Sequence, residues 1–272
     1  MRFDNCIVIR GGGDLATGVA LRLHRAGIKL LITELAQPLA VRRAVSFSEA
    51  VYEGNHTVEE VTATLVEANQ LKTWKEADVI PVIVDPDVSI LSSFAFPVVV
   101  DARLLKTQPQ PLPTSTPLHI GLGPGFHAGL DCNAVVETRR SHTLGRVYWR
   151  GATQLDSGEP EGDPRRVLRA PVEGVIHGMK KIGQQCEDGE VIAEIEVDTD
   201  ARTPVCSPFR GVLRGIIRDG LRVTKGLKIG DVDARNDTSA CFLVSDKSLA
   251  IGGGVLEAVL TQPDVRKKLY SP

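Results

Sequence analysis

The amino-acid sequence predicts an α/β chain in which a mostly parallel sheet is joined to a small all-β module. Three observations carry this. Apolar runs of strand length (Ile7–Ile9, Ile28–Ile32, Val79–Val84, Val98–Val100, Leu118–Ile120) recur through the first half, each stopping at a glycine or a charged residue nearby. Such near-continuous apolar strands suit a sheet covered on both faces. The first run breaks into Gly11-Gly12-Gly13 and is followed by an amphipathic stretch with Leu15, Val19, Leu21 and Leu23. The last third repeats itself at a constant offset of 37 residues.

The first element is the most informative. Ile7–Ile9, the glycines, the amphipathic stretch and Ile28–Ile32 read as strand, turn, helix and strand. Gly11, Gly13 and Ala16 fit the G-x-G-x-x-G/A fingerprint of a Rossmann-like domain, and Glu34 stands about twenty residues on, where a carboxylate takes ribose hydroxyls. Glycines admit close approach of backbone N–H groups to a pyrophosphate, and a helix N-terminus favours its charge. In a parallel sheet ligands collect outside the carboxyl ends of the strands. The predicted cofactor-binding residues are therefore Gly11, Gly12, Gly13, Asp14, Leu15, Ala16, Glu34, Asp101, Arg103, Gly123 and Gly125. The fingerprint implies a dinucleotide such as NAD(P).

Residues 106–117 carry four prolines and read as an extended surface segment between strands or a loop flanking the pocket. Ala134–Thr138 reads as a strand, and Arg139–Arg146 as a basic turn that is either an anion clamp or a solvated loop. These elements define a Rossmann-like α/β domain over 1–165. Over 166–233 the repeat pairs Ala170-Pro171 with Ser207-Pro208, Gly174 with Gly211, Gly183 with Gly220, Gly189 with Gly226 and Ile192 with Ile229. Short strands punctuated by glycine turns resemble the biotinyl/lipoyl barrel-sandwich. The segment joining the copies, Glu196–Thr203, has no lysine to carry a prosthetic arm. A C-terminal segment, 234–272, ends in a helix read over Val255–Leu260 that packs back on the first domain. The three glycines before it, Gly252–Gly254, serve either a second anion-binding terminus or close packing, and packing is favoured.

Composition narrows the partners. Lys plus Arg number 32 and Asp plus Glu 34, a net charge of −2, which argues against nucleic acid and acidic membranes as general partners. The chain enters a strand at its start, so no signal peptide is expected, and no apolar run has membrane-spanning length. Five cysteines without a C-x-x-C pair read as reduced thiols of a cytoplasmic protein. Six dispersed histidines give no metal motif, and no Tyr-x-x-x-Lys pair or acid/base set stands out, leaving enzymatic activity open.

Several longer motifs are more specific than the glycine turn. Arg10–Gly18, Pro38–Arg43, Val100–Arg103, Gly121–Phe126, Leu144–Arg146, Leu168–Pro171, Gly230–Asp233 and Ser245–Glu257 together resemble the YqeB family of selenium-dependent molybdenum hydroxylase system proteins. Glu60 and Ser141 depart from that pattern, standing where glycine is expected. The resemblance implies a cytoplasmic accessory in the maturation of a molybdenum hydroxylase, with that hydroxylase or its cofactor as partner. Its ligand would be a nucleotide or molybdopterin dinucleotide, held at the glycine-rich cleft. An NAD(P)-dependent oxidoreductase and a non-catalytic interaction scaffold are the alternatives, and homo-oligomerisation is open.

Overall fold

The computed structural model describes residues 3–74, 76, 78–156, 162–197 and 201–270. It divides into unit 1, Met1–Pro38, Ser46–Asp156 and Val244–Pro272, and unit 2, Leu39–Val45 and Ser157–Leu243. Unit 1 contains β1 (Cys6–Arg10), α1 (Asp14–Arg25), β2 (Lys29–Glu34), α2 (Ala50–Glu53), β3 (Asn55–Val58), β4 (Val61–Leu65) and β5 (Val79–Val84). Then follow β6 (Val98–Asp101), β7 (Leu118–Leu122), β8 (His127–Ala128), β9 (Ala134–Val136), β10 (Val147–Tyr148) and β11 (Gly151–Ala152). The chain's last helices, α3 (Asp246–Leu260) and α4 (Pro263–Leu269), complete it.

Nine strands form one sheet in the order β10-β9-β7-β6-β1-β2-β5-β4-β3. The mostly parallel, Rossmann-like sheet expected from the sequence is corrected to a mixed one. The interior pairs run parallel, but β3–β4 at one end and β9–β10 at the other are antiparallel. The physical reason lies in the connections: parallel neighbours need a crossover of a dozen or more residues, whereas a short turn returns the chain antiparallel. Glu59 and Glu60 make the tighter of these turns, with φ of 45° and 73°. Glu60 thus occupies a left-handed position, the conformation for which glycine was expected.

The strands alternate between two buried faces. Cys6, Val8, Leu31, Ile83 and Val99 join one core cluster with Phe3, Leu91 and Phe96, while Ile7, Ile9 and Ile32 are fully buried on the other face. Burial of each such side chain is worth roughly 1.5–3 kcal/mol. α1 presents Leu15, Ala16, Val19, Ala20 and Leu23 inward and crosses α3 at glycines. A Cβ on Gly18 would lie 2.6 Å from Ser248, and one on Gly252 would lie 2.5 Å from the Gly18 carbonyl oxygen. The sequence reading began this last helix too late. It starts at Asp246, capped by Ser245 Oγ accepting from Ser248 N at 3.1 Å, and the three glycines lie inside it. Ser239–Leu260 is, among the described residues, the stretch with the length and hydropathy of a membrane span. Its helical part buries Ile251, Val255, Ala258 and Val259 within unit 1.

Unit 2 contains β12 (Val167–Arg169), β13 (Gly174–Gly178), β14 (Gln185–Cys186), β15 (Val191–Glu196), β16 (Arg202–Cys206), β17 (Gly211–Ile216), β18 (Arg222–Val223) and β19 (Lys228–Asp233). The biotinyl/lipoyl-like barrel-sandwich expected here is corrected to two separate four-stranded sheets, β12-β19-β17-β14 and β16-β15-β13-β18, all antiparallel. Neither copy of the repeat builds a sheet alone, because each sheet takes two strands from each copy. Adding 37 carries Gln185–Cys186 onto Arg222–Val223 and Val191–Glu196 onto Lys228–Asp233. Of the segment joining the copies, 198–200 lie outside the described residues. A buried carboxylate, Asp231, ties the first sheet together: its Oδ2 accepts from Arg166 Nη1 at 2.6 Å and Arg214 Nη2 at 3.1 Å.

Candidate functional site at the carboxyl edge of the sheet

Because β1, β2, β5, β6 and β7 run parallel, their carboxyl ends share one edge of unit 1. Register pairs Arg10 with Asp101, and Asp101 with Gly121. Residues in register share a face, so Arg10, Asp101 and Gly121 point one way, as does His119 two residues earlier. Asp101 is 1% exposed. Its carboxylate accepts from Arg103 Nε at 2.9 Å and Nη2 at 2.6 Å, a bidentate pair, and lies 3.6 Å from Arg10 Nη1. Arg10, also buried, donates Nη2 to the Pro86 carbonyl at 2.8 Å, while its Nε has no partner among the described residues. Burial and the neighbouring Arg103 lower its pKa from the ordinary value, opposed by Asp101, Asp87 and Asp85.

His119 completes this face. Burial lowers its pKa, so the imidazole is neutral at pH 7, and its Nε2 is buried without a hydrogen-bond partner among the described residues. Its ring meets Phe126 edge-on with centroids 6.0 Å apart, and Phe126 in turn covers Gly121, where any Cβ would strike the ring. Cys132 nearby is a poor nucleophile: burial pushes its thiol up to about 12. Asp85, another strand-end carboxylate, is committed to capping, accepting from Ser89 N, Ser89 Oγ and Ile90 N at 2.8–2.9 Å.

The glycine turn is largely engaged with its own chain. Gly11 needs its freedom, with φ at +95° and its N–H donating to Thr33 O at 2.8 Å. Gly12 N donates to Glu34 Oε2 at 2.6 Å, and Leu35 N donates to Oε1 at 2.7 Å. The Glu34 carboxyl has a raised pKa, because burial outweighs these two bonds. A Cβ on Gly12 would lie 2.9 Å from Ser48 N, which donates to Gly12 O. Thr17 Oγ1 donates to Gly13 O at 3.0 Å and accepts from Phe47 N at 2.9 Å, so the 46–48 segment is stapled to the turn. Only Gly13 has open space on its Cβ side. Asp14, Leu15 and Ala16 form the first turn of α1, with Leu15 and Ala16 buried in the core.

Of the residues picked from sequence, Gly11, Asp101 and Arg103 come together; a Cβ on Gly11 would lie 3.7 Å from Arg103 Cγ. The second glycine loop serves the chain's own packing. Gly123 has φ of +89° beside Thr138, and a Cβ on Gly125 would lie 2.5 Å from Leu105 O. In the basic turn Arg140 forks onto Asp246, which ties the turn to the start of α3. Sequence reasoning missed Arg10, His119 and Phe126 as partners of this edge. It also missed Glu137, a buried carboxylate accepting Arg139 N and Gln154 N at 2.8 Å each. Arg10 and Glu137 carried a signal, a charge closing an apolar run; His119 and Phe126 carried none. Among the described residues no group of His, Cys, Asp and Glu could hold a metal ion.

No family model matches the chain. It is 44% identical over 259 residues to the uncharacterized protein YqeB of Escherichia coli (strain K12), covering 93% of this chain and 47% of that protein. The identity supports the resemblance to the YqeB family carried by the motifs, and the chain spans about half the length of that curated relative. Solved structures similar to it include a succinylglutamate desuccinylase/aspartoacylase from Rhodobacter sphaeroides. That protein is 22% identical, with 28% of this chain and 24% of that chain covered and a TM-score of 0.25. Another is an aspartoacylase family protein from Mesorhizobium loti, 12% identical with 84% of each chain covered and a TM-score of 0.28. The maturation function expected from sequence is corrected here: the YqeB relative is uncharacterized and brings nothing on selenium or molybdenum. The geometry of the glycine turn gives a physical reason against the dinucleotide site itself. Glu34, expected to take ribose hydroxyls, takes the Gly12 amide instead and sets a carboxyl where a pyrophosphate would need a free N–H.

Proposed function

We propose that unit 1 binds a small oxyanion-bearing molecule at the carboxyl edge of its sheet, on the Arg103 side of the glycine turn. One observation carries this reading: two guanidiniums, Arg10 and Arg103, converge on the single buried carboxylate of Asp101. Asp85 and Asp87 act on Arg10, whereas Arg103, with a side chain 28% exposed, spends Nε and Nη2 on Asp101. A planar fork held bidentately on one side is pre-set to meet a carboxylate or phosphate on the other. Gly11 beside it leaves room for close approach, and neutral His119 supplies a nitrogen without a partner on the same face. Five free cysteines fit a reducing compartment such as the cytoplasm.

Calorimetric titration of the full chain with inorganic phosphate and with succinate tests the site. Wild type binds at least one of them, and Arg103→Lys, which keeps the charge but loses the fork, weakens binding about tenfold. Unchanged affinity in Arg103→Lys, or no binding of either anion to wild type, rejects the assignment.

A further inference from the structure

A second site lies at the opposite, amino edge of the same sheet. A cavity of about 390 Å³ opens there, where Pro97 leads into β6, Pro117 into β7 and Asp4 towards β1. Its inner wall is apolar and closely packed: Leu91 and Phe96 are each 3% exposed, and Phe94 and Phe96 pack on Phe3 with ring centroids 4.4 and 5.2 Å away. The proline-rich segment 106–117 supplies the facing wall, including Thr116, whose Oγ1 is buried without a hydrogen-bond partner among the described residues. A buried hydroxyl left unpaired costs free energy until something satisfies it. The rim carries one charge of each sign, Asp4 and Lys268 of α4, and neither side chain has an ion pair or hydrogen bond among the described residues.

We propose that this cavity binds a free α-amino acid with an apolar side chain of leucine or phenylalanine size. The volume lies at the low end for small-molecule pockets, about 300–1,000 Å³. The aromatic wall receives the side chain, Lys268 the carboxylate, Asp4 the ammonium and Thr116 Oγ1 one remaining polar atom. A ligand with a single charge would leave either Asp4 or Lys268 facing a like or absent partner, whereas a zwitterion satisfies both. The site is separate from the carboxyl edge and does not depend on the anion assigned there.

Titration of the full chain with L-phenylalanine, its N-acetyl derivative, its amide and glycine tests this. Phenylalanine binds, each blocked derivative binds about tenfold more weakly because one charge-assisted contact is lost, and glycine does not bind. Lys268→Gln abolishes the preference over the amide and Asp4→Asn the preference over the N-acetyl form; both lie at the exposed rim and leave the fold intact. Failure of phenylalanine to bind wild type, equal binding of glycine, or preferences unchanged in both variants overturns the proposal.

Discussion

Gly11–Gly13 and Gly252–Gly254 are the same three letters, and the molecule uses them in opposite ways. The first triplet turns a strand into a helix. Gly11 takes the left-handed conformation, Gly12 lies against Ser48 and Glu34, and Gly13 faces open space. The second triplet is inside α3, where glycine costs about 1 kcal/mol per residue relative to alanine. There Gly252 and Gly254 let the helix meet the backbone of Gly18 and Gly145, contacts that any Cβ would block. A glycine run therefore has no meaning of its own. Within each triplet only one residue has open space on its Cβ side, and in the first that residue, Gly13, sits at the candidate edge.

The sharpest way to break this contrast is Gly252→Val. With its Cβ 2.5 Å from Gly18 O and 2.9 Å from Arg22 Cγ, α1 and α3 must separate, at a cost of about 3 kcal/mol in urea unfolding. A loss under about 0.5 kcal/mol would mean that the crossing is loose and the second triplet is ordinary helix. The first triplet is separated internally by Gly12→Ala and Gly13→Ser. The former pushes on the Ser48 backbone and destabilises by about 1–2 kcal/mol, whereas the latter places a good N-cap in open space and changes stability by less than about 0.5 kcal/mol. Equal effects would erase the distinction between packed and open glycines. The smallest effect concerns the carboxyl that closes the turn. Glu34 has a raised pKa in the fold, so its titration favours folding below the unfolded value of about 4.3 and withdraws that contribution as pH rises through the folded value. Glu34→Gln should flatten the stability profile over that weakly acidic window. A profile identical to wild type would show that the carboxyl is not held as described.

Much of the carboxyl edge was legible because its physics is local. An apolar run closed by a charge is a buried strand reaching its end, and Arg10, Glu34, Asp85 and Asp101 all sit where that rule puts them. What the residues do to one another was not legible. A glutamate closing the second strand reads the same whether it takes a ribose hydroxyl or the Gly12 amide, and only the fold sets the 2.6 Å bond. The antiparallel ends of the sheet escaped for a related reason. Glu59 and Glu60 form a left-handed turn without glycine, asparagine or aspartate to announce it. The start of α3 was marked by Ser245, an ordinary capping residue, but the glycines behind it drew the boundary too far along. His119 and Phe126 meet only through a loop that folds back over Gly121, a contact with no sequence period.

The interleaved strands of unit 2 also bear on how such a chain could arise. Since β12 and β14 flank β19 and β17, while β16 and β18 flank β15 and β13, each copy leaves its strands half-paired until the other arrives. A lone copy is thus no autonomous ancestor, whereas two identical peptides exchanging strands would restore every pairing. Duplication and fusion of a gene for such an obligate dimer would fix the partner's concentration at the length of one short linker.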